Sequence, residues 1–383
     1  LINAMATAAL LAGAPRALAD TLASETTVLP RPSGKLLRTI PFSQEGSPAM
    51  GTCLSSGLDG RLFTDLAALD AQSLLTPVAN FYVRTLTPDT LDRTRPWQIA
   101  VGGKVARPGS LSMASLRAAE RPCGTHAMEC SGNGSFAHFG MLSCAQWHGV
   151  PLLEALAPFG PALESSRILV SGYDNHSQPS TSSVPGASWI FTADDLKRAG
   201  GFLATRMNGE PLTPAHGAPV RLMMPRWYGC TCIKWVNEIK VVDDNEPATS
   251  QMKEFAGRTH QKGVPELARD YQPASMDLAA MPVRIEQWQD DKGKFYRVVG
   301  VQWGEGCPSD KLVIRFAPRD PYVAVEHCPT EPADAGWMLW SHTWRPRVSG
   351  MHIIQLRVND PKVRTRRLAT GFYVRYAVVE AAV

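Results

Sequence analysis

The chain has 383 residues, 44% hydrophobic and 19% charged, which is enough to bury real cores and to divide into about two domains. With 39 basic and 35 acidic residues the net charge is only +4. No basic run is present of the kind a nucleic-acid-binding protein carries, and no stretch beyond the N-terminus is apolar enough to span a bilayer.

The first residues, LINAMATAALLAGAPRALAD, are small and apolar, and Ala17-Leu18-Ala19 before Asp20 has the form of a signal-peptidase site. Residues 1–19 are therefore expected to be the remnant of an export signal, and the product to be periplasmic. Residues 20–75, with their Gly and Ser clusters, read as an irregular wrapping arm. Over residues 76–245 the periods are mixed. WQIAVGGKV predicts a strand and a turn. LSMASLRAA and VPLLEALAPFG predict helices, the second capped by Gly160. SRILVSGYD predicts a strand, and TADDLKRAGG a helix with Thr192 as its N-cap. FLATRMNGEPL predicts a strand ending in an Asn-Gly turn, while APVRLMMP and CIKWVNEIKVVD predict strands. Several links are too short for parallel crossovers, so the fold class is α+β. Residues 246–281 are polar and proline-punctuated, a connector. From Pro282 to residue 383, six short aromatic and β-branched runs separated by turns predict a β-sandwich.

Candidate chemistry centres on ECSGNG (129–134). Gly132 and Gly134 remove bulk beside the Cys130 sulfur, and Asn133 offers donors and an acceptor. On its own the stretch leaves Cys130 open as a buried structural thiol, half of a disulfide, a nucleophile or a metal ligand. Eight cysteines allow 105 pairings. Cys230-x-Cys232 is tighter than the usual zinc spacing and no matching second pair exists, which argues against zinc. SGNGS is not a nucleophile elbow, which argues against a serine hydrolase. No Cys-x-x-Cys-His occurs, so no c-type haem is attached to this sequence.

NFYVR (80–84), ECSGNG (129–134), WHGVPL (147–152), GYD (172–174), MNGEPLTPAHGAPVRLMMPRWYG (207–229) and IKWVNEIKV (233–241) follow in one order. Together, over about residues 75–245, they resemble the molybdopterin-binding domain of the sulfite oxidase family. The later part resembles more loosely that family's immunoglobulin-like dimerisation domain. The resemblance implies a Mo-molybdopterin cofactor with Cys130 as molybdenum ligand and Arg84 beside the metal. It implies cofactor contacts from Phe81, Tyr82, Val83, Arg84, Asn133, Asp174, His216, Arg221, Cys232, Ile233 and Lys234. It further implies oxygen-atom transfer on a small anionic or carrier-bound sulfur substrate, a cytochrome c acceptor, and a homodimer or a heteromer with an electron-transfer subunit.

The departures bear on substrate. Where sulfite oxidases place two arginines after the Gly-Asn of the cysteine motif, this sequence has Gly134 and Ser135. Where they carry an Asp-Tyr pair it has EFAGRTHQ (254–261), without tyrosine, so that Arg258 or His260 is the candidate to face the site, with His260 taken as catalytic. FGMLSCAQWHGVPL (139–152) is similar to the sulfane dehydrogenase subunit of periplasmic thiosulfate-oxidising systems. Action on a non-sulfite substrate such as a sulfoxide, and a non-catalytic partner-binding subunit, are the alternative readings.

Overall fold

The computed structural model describes residues 29–69, 74–92, 94–174, 186–328 and 336–382. The expected signal remnant, the start of the arm and the loop after Asp174 lie outside them. Within them no helix is long and apolar enough to cross a membrane.

The arm is more ordered than its composition predicts. It contributes β1 (Lys35–Ile40) and β2 (Phe42–Ser43), whose partners both lie beyond residue 278. The next segment builds two sheets, the first mixed and the second wholly antiparallel. One runs in the order β4-β3-β12-β7-β8 and joins β3 (Gln98–Gly103), β4 (Gly109–Ser112), β7 (Ser166–Gly172), β8 (Ser188–Phe191) and β12 (Val236–Asp243). Here β3 and β12 pair in parallel although some 130 residues separate them; the other pairings in this sheet are antiparallel. The second sheet joins β5 (Arg121–Glu129), β6 (Leu142–Pro151), β9 (Phe202–Met207) and β10 (Glu210–Pro211), with β11 (Arg221–Met223) also on β9.

Short helices link these strands. α1 (Met113–Ala119) starts at Ser112, whose hydroxyl accepts from Ser115 N–H. α2 (Leu152–Leu156) passes through a 3-10 turn to Gly160, held at φ 63°, a left-handed conformation in which glycine carries no Cβ penalty. α3 (Ala193–Ala199) carries a full capping box between Thr192 and Asp195. The strand expected from Cys232 begins only at Val236, because Trp235 adopts φ 51° and breaks the extended run. That break turns Cys232, Ile233 and Lys234 into a loop.

α4 (Ser250–Phe255) and further 3-10 turns form the connector. β13 (Ala279–Asp290) crosses the boundary expected at Pro282, and a register shift beside that proline accommodates its missing N–H. The sandwich follows with β14 (Gly293–Trp303), β15 (Leu312–Arg315), β16 (Val323–Ala324), β17 (Trp337–Trp344), β18 (Gly350–Val358), α5 (Arg366–Ala369) and β19 (Arg375–Val379). One sheet runs β1-β13-β14-β17 and the other β16-β15-β18-β19-β2. The arm thus supplies an edge strand to each layer. Trp303, Trp337 and Trp340 of the first layer are all buried; Trp303 and Trp337 are cross-strand partners on one face, and Trp340, three residues along the strand, faces the other.

Gly300 sits mid-strand in β14, where an added Cβ would lie 2.0 Å from the Trp340 ring and 2.5 Å from Met281 O. Gly300→Ala is expected to destabilise the chain by about 1–3 kcal/mol, read from denaturant unfolding; a change within about 0.5 kcal/mol would show that this close approach is not constraining.

Candidate functional site

β5 ends at Glu129 and the chain then turns sharply. Cys130 N–H donates to Met141 O at 2.9 Å, and Asn133 N–H closes the turn on Cys130 O at 2.9 Å. Asn133 Oδ1 accepts from Met141 N–H at 3.1 Å. Asn133 therefore holds the loop shut from inside and does not line the cavity beside it, as a cofactor contact would. Burial pushes the Cys130 thiol up, opposed by the Gly132 N–H and by Arg84.

That cavity holds about 850 Å³ of space between atoms, part of it open to solvent. Among the residues expected at the site, Tyr82, Val83, Arg84, Cys130, Asp174, His216, Arg221, Cys232, Ile233 and Lys234 line it. Phe81 stands one layer back, fully buried, edge-on to Trp147 and His216. Its carbonyl accepts from His216 Nε2 at 3.2 Å, and the Thr213 hydroxyl reaches His216 Nδ1 at 2.6 Å. A carbonyl only accepts, so Nε2 carries the proton and Nδ1 receives the hydroxyl's. The neutral ring this requires agrees with its pKa, lowered to about 4 chiefly by burial.

Arg221, only 3% exposed, donates from Nη1 to His216 O at 3.2 Å and from Nη2 to Cys232 O at 3.0 Å. Its Nε is buried without a partner. A buried guanidinium N–H left unpaired costs stability unless something polar fills the space it faces. Lys234 Nζ donates to Thr85 O and Ala215 O. Burial and then Arg221 push this ammonium well down, with Asp174 opposing. Cationic and neutral donors on one wall and a thiol on another fit a polar, anionic group with a soft metal at one end.

Glu129 is the residue that sequence reasoning missed most plainly. Its carboxylate is 1% exposed. It accepts from Trp303 Nε1 at 3.0 Å, from Tyr373 Oη at 2.9 Å and from Asn133 Nδ2 at 3.4 Å, with Arg367 Nη1 at 3.5 Å. Burial still pushes its carboxyl up, against Arg367 and these donors. Arg367 also donates from Nη2 to Ser131 O at 2.7 Å and Arg258 O at 2.9 Å, and lies over the Tyr228 ring at 4.4 Å.

Neither connector candidate, Arg258 or His260, is among the residues that line the cavity. His260 Nε2 pairs with Tyr228 Oη at 3.1 Å, and burial followed by Arg366 lowers the ring's pKa to about 4. Arg258 instead approaches the cysteine loop: a Cβ on Gly132 would lie 3.3 Å from Arg258 Nη1 and 3.9 Å from Cys130 Sγ. Glu254 and Phe255 line the cavity. From the arm, Arg61 is held down at about 10 by burial and by Arg84. The only signal for Arg61 in the sequence is a lone arginine in a Gly-rich segment, and that signal is weak.

Residues 85–250 match the family model for the oxidoreductase molybdopterin binding domain. The chain is 28% identical over 209 residues to sulfite oxidase of Gallus gallus, covering 50% of this chain and 44% of that one. It is 29% identical over 159 residues to the protein-methionine-sulfoxide reductase catalytic subunit MsrP of Xanthomonas axonopodis pv. citri, covering 39% of this chain and 45% of that one. These alignments span less than half the length of each curated relative. The crystal structure of the sulfane dehydrogenase SoxCD from Paracoccus pantotrophus superposes with a TM-score of 0.62 at 17% identity, over 99% of this chain and 93% of that one; the architecture is shared.

Two outcomes are expected. Glu129→Ala leaves Arg367, Trp303 and Tyr373 facing an apolar methyl and should cost about 3–5 kcal/mol of stability; a loss below about 1 kcal/mol in denaturant unfolding would show that these contacts do not hold the loop. Because folded His216 titrates below its usual 6.5, the unfolded chain binds a proton first as pH falls. Its contribution is complete above pH 6.5 and is lost towards pH 4. Unfolding free energy should fall across that window, with a shallower slope in His216→Gln; equal slopes would refute the assignment.

Proposed function

Through residues 85–250 the chain belongs to the sulfite oxidase family of molybdopterin-binding oxidoreductases, and from that premise we propose that it oxidises a small sulfur compound, either sulfite or a sulfane sulfur. The observation that carries this reading is the convergence on one cavity of the Cys130 thiol with Arg84, Arg221 and Lys234.

The family's cofactor is Mo-molybdopterin, and bound there it supplies two-electron oxidation with oxygen-atom transfer. The residues fit it. Cys130 offers a soft thiolate for the metal. The unpartnered Arg221 Nε, with Lys234 and the neutral His216 ring behind it, faces the place where a pterin and its phosphate need donors. Tyr82, Val83 and Ile233 wall the cavity with buried apolar surface and exclude water from it. Arg84, lining the cavity with Cys130, attracts and orients the anionic substrate. Phe255 occupies a lining position without a hydroxyl, so no proton is held or passed there.

A sulfoxide is the second reading, favoured by Gly134 and Ser135 where sulfite oxidases carry arginines and by the similarity to MsrP. A non-catalytic subunit would have no use for the unpaired Arg221 Nε or the buried cations, and is set aside on that ground. The same proposal places the protein in the periplasm, on the strength of Ala17-Leu18-Ala19. It passes electrons to a separate cytochrome c and pairs the chain with a second copy or an electron-transfer subunit, as the family resemblance implies.

Purified protein should contain molybdenum and pterin in equal amounts, and should reduce cytochrome c with sulfite or thiosulfate faster than it reduces a sulfoxide with a dye donor. Absence of both metal and pterin would end the enzymatic reading. Cys130→Ser should keep pterin by extraction and fluorescence while turnover falls at least about 100-fold; turnover at the parent rate would remove Cys130 as the ligand.

A further inference from the structure

The far end of the cysteine loop is strained. After Gly134 the chain passes through a 3-10 turn to His138 and Phe139, which adopt φ 49° and φ 58°. Two successive residues with side chains in the left-handed region are uncommon, and they persist only where the surroundings hold them. Backbone bonds close the turn on itself, from His138 N–H to Ser135 O at 3.1 Å and from Phe139 N–H to Gly134 O at 2.9 Å. A side-chain hold comes from the arm. His138 Nδ1 lies 2.6 Å from Glu45 Oε2. A carboxylate only accepts, so Nδ1 carries the proton.

Glu45 is itself fixed. Arg375 on β19 meets it in a bidentate pair, Nε to Oε1 at 2.7 Å and Nη2 to Oε2 at 2.6 Å, and both side chains are only 3% exposed. Arg375 Nη1 donates to Pro282 O at 2.9 Å, and its guanidinium lies 3.5 Å over the Phe42 ring. Next to Glu45 the arm touches the loop backbone. Gly46 N–H donates to Ser135 O at 3.4 Å, and a Cβ on Gly46 would lie 2.0 Å from Phe136 O. A residue without a side chain is what allows that approach. Buried Phe139 packs on Tyr373 with ring centres 5.8 Å apart, and Tyr373 Oη bonds Glu129, the residue before Cys130. Two buried carboxylates thus pin the loop, Glu129 where it starts and Glu45 where it finishes. The arm and β19 lie outside the matched residues 85–250.

We propose that Glu45 is a positioning residue, which acts through His138 to fix where the loop carries the Cys130 sulfur. The bidentate pair already satisfies Arg375 and Glu45 without His138. The added bond falls on a strained residue of the loop that brings Cys130 to the cavity. A reacting group misplaced by about 1 Å can cost about 100-fold in rate. This role presupposes the proposed ligation of the metal by Cys130.

Iodoacetamide labelling of the full chain made without the cofactor, with each cysteine scored by peptide mass, reports on the loop independently of turnover. Cys130 should label about 10-fold faster in His138→Phe, which keeps a ring but loses a bond to a charged group. It should return to the parent rate in His138→Gln, whose amide can donate to Glu45. Cys144, buried on β6, should label at the parent rate throughout. Glu45→Ala should behave as His138→Phe where thermal unfolding shows that it folds. In the loaded protein, kcat for sulfite should fall about 10-fold in His138→Phe with a smaller change in KM. Parent-like labelling of Cys130 in His138→Phe overturns the proposal. Equal acceleration at Cys144 also overturns it, since that is general loosening, as does acceleration that persists in His138→Gln. If labelling follows the expected pattern and the parent oxidises neither sulfite nor thiosulfate, the positioning of Cys130 stands and the proposed reaction fails.

Discussion

A buried carboxylate next to Cys130 is the contact on which the rest of the site depends. Glu129 ends β5, and Cys130 follows it directly. A carboxylate is withdrawn from water at a cost of several kcal/mol unless donors replace the solvent. The replacements come from Trp303 on β14 and from Tyr373 and Arg367 near the C-terminus. Trp303 and Tyr373 lie 174 and 244 residues further along the chain. The cysteine loop is therefore held by the sandwich as much as by its own sheet. The sandwich contributes to the site directly, whatever it also does in assembly.

The same logic runs through the other late contacts. Arg367 Nη2 donates to two carbonyls, Ser131 O and Arg258 O, and so clamps the cysteine loop to the connector. The arm laces the sandwich together as an edge strand in each layer and then crosses to place Arg61 beside Arg84. Three segments distant in sequence meet around Cys130, and none builds the site alone. A rigid constellation assembled this way positions charge without relying on a flexible loop.

Local signals read well where the chemistry is local. The Thr192 cap, the Gly160 terminus and the Asn208-Gly209 turn each depend on a few adjacent residues, and each stands where its pattern places it. The ordered motifs also led to a cavity-lining set around Cys130, because each is a short segment whose neighbours are fixed by the segments before and after it. Reading failed where a partner was remote. The arm looked irregular because its strands have no partner until β13 and β19 are made. Asn133 looked like a cofactor contact and is a loop staple, because Met141 takes its side chain. His260 looked like an acid or base and is turned to Tyr228, whereas Arg258 faces the cysteine loop.

By itself the sequence determined the α+β class and the run of short strands after the connector, since these rest on period, turn chemistry and composition. It also showed that arginines are missing after Asn133. Only the tertiary structure decided which remote groups hold the cysteine motif. Donors replace water around a buried carboxylate only at bonding distance, and the distances from Glu129 to Trp303, Tyr373 and Arg367 are set by the packing of the cysteine loop on the sandwich. Such contacts leave no trace in local pattern, because they form between segments far apart in sequence.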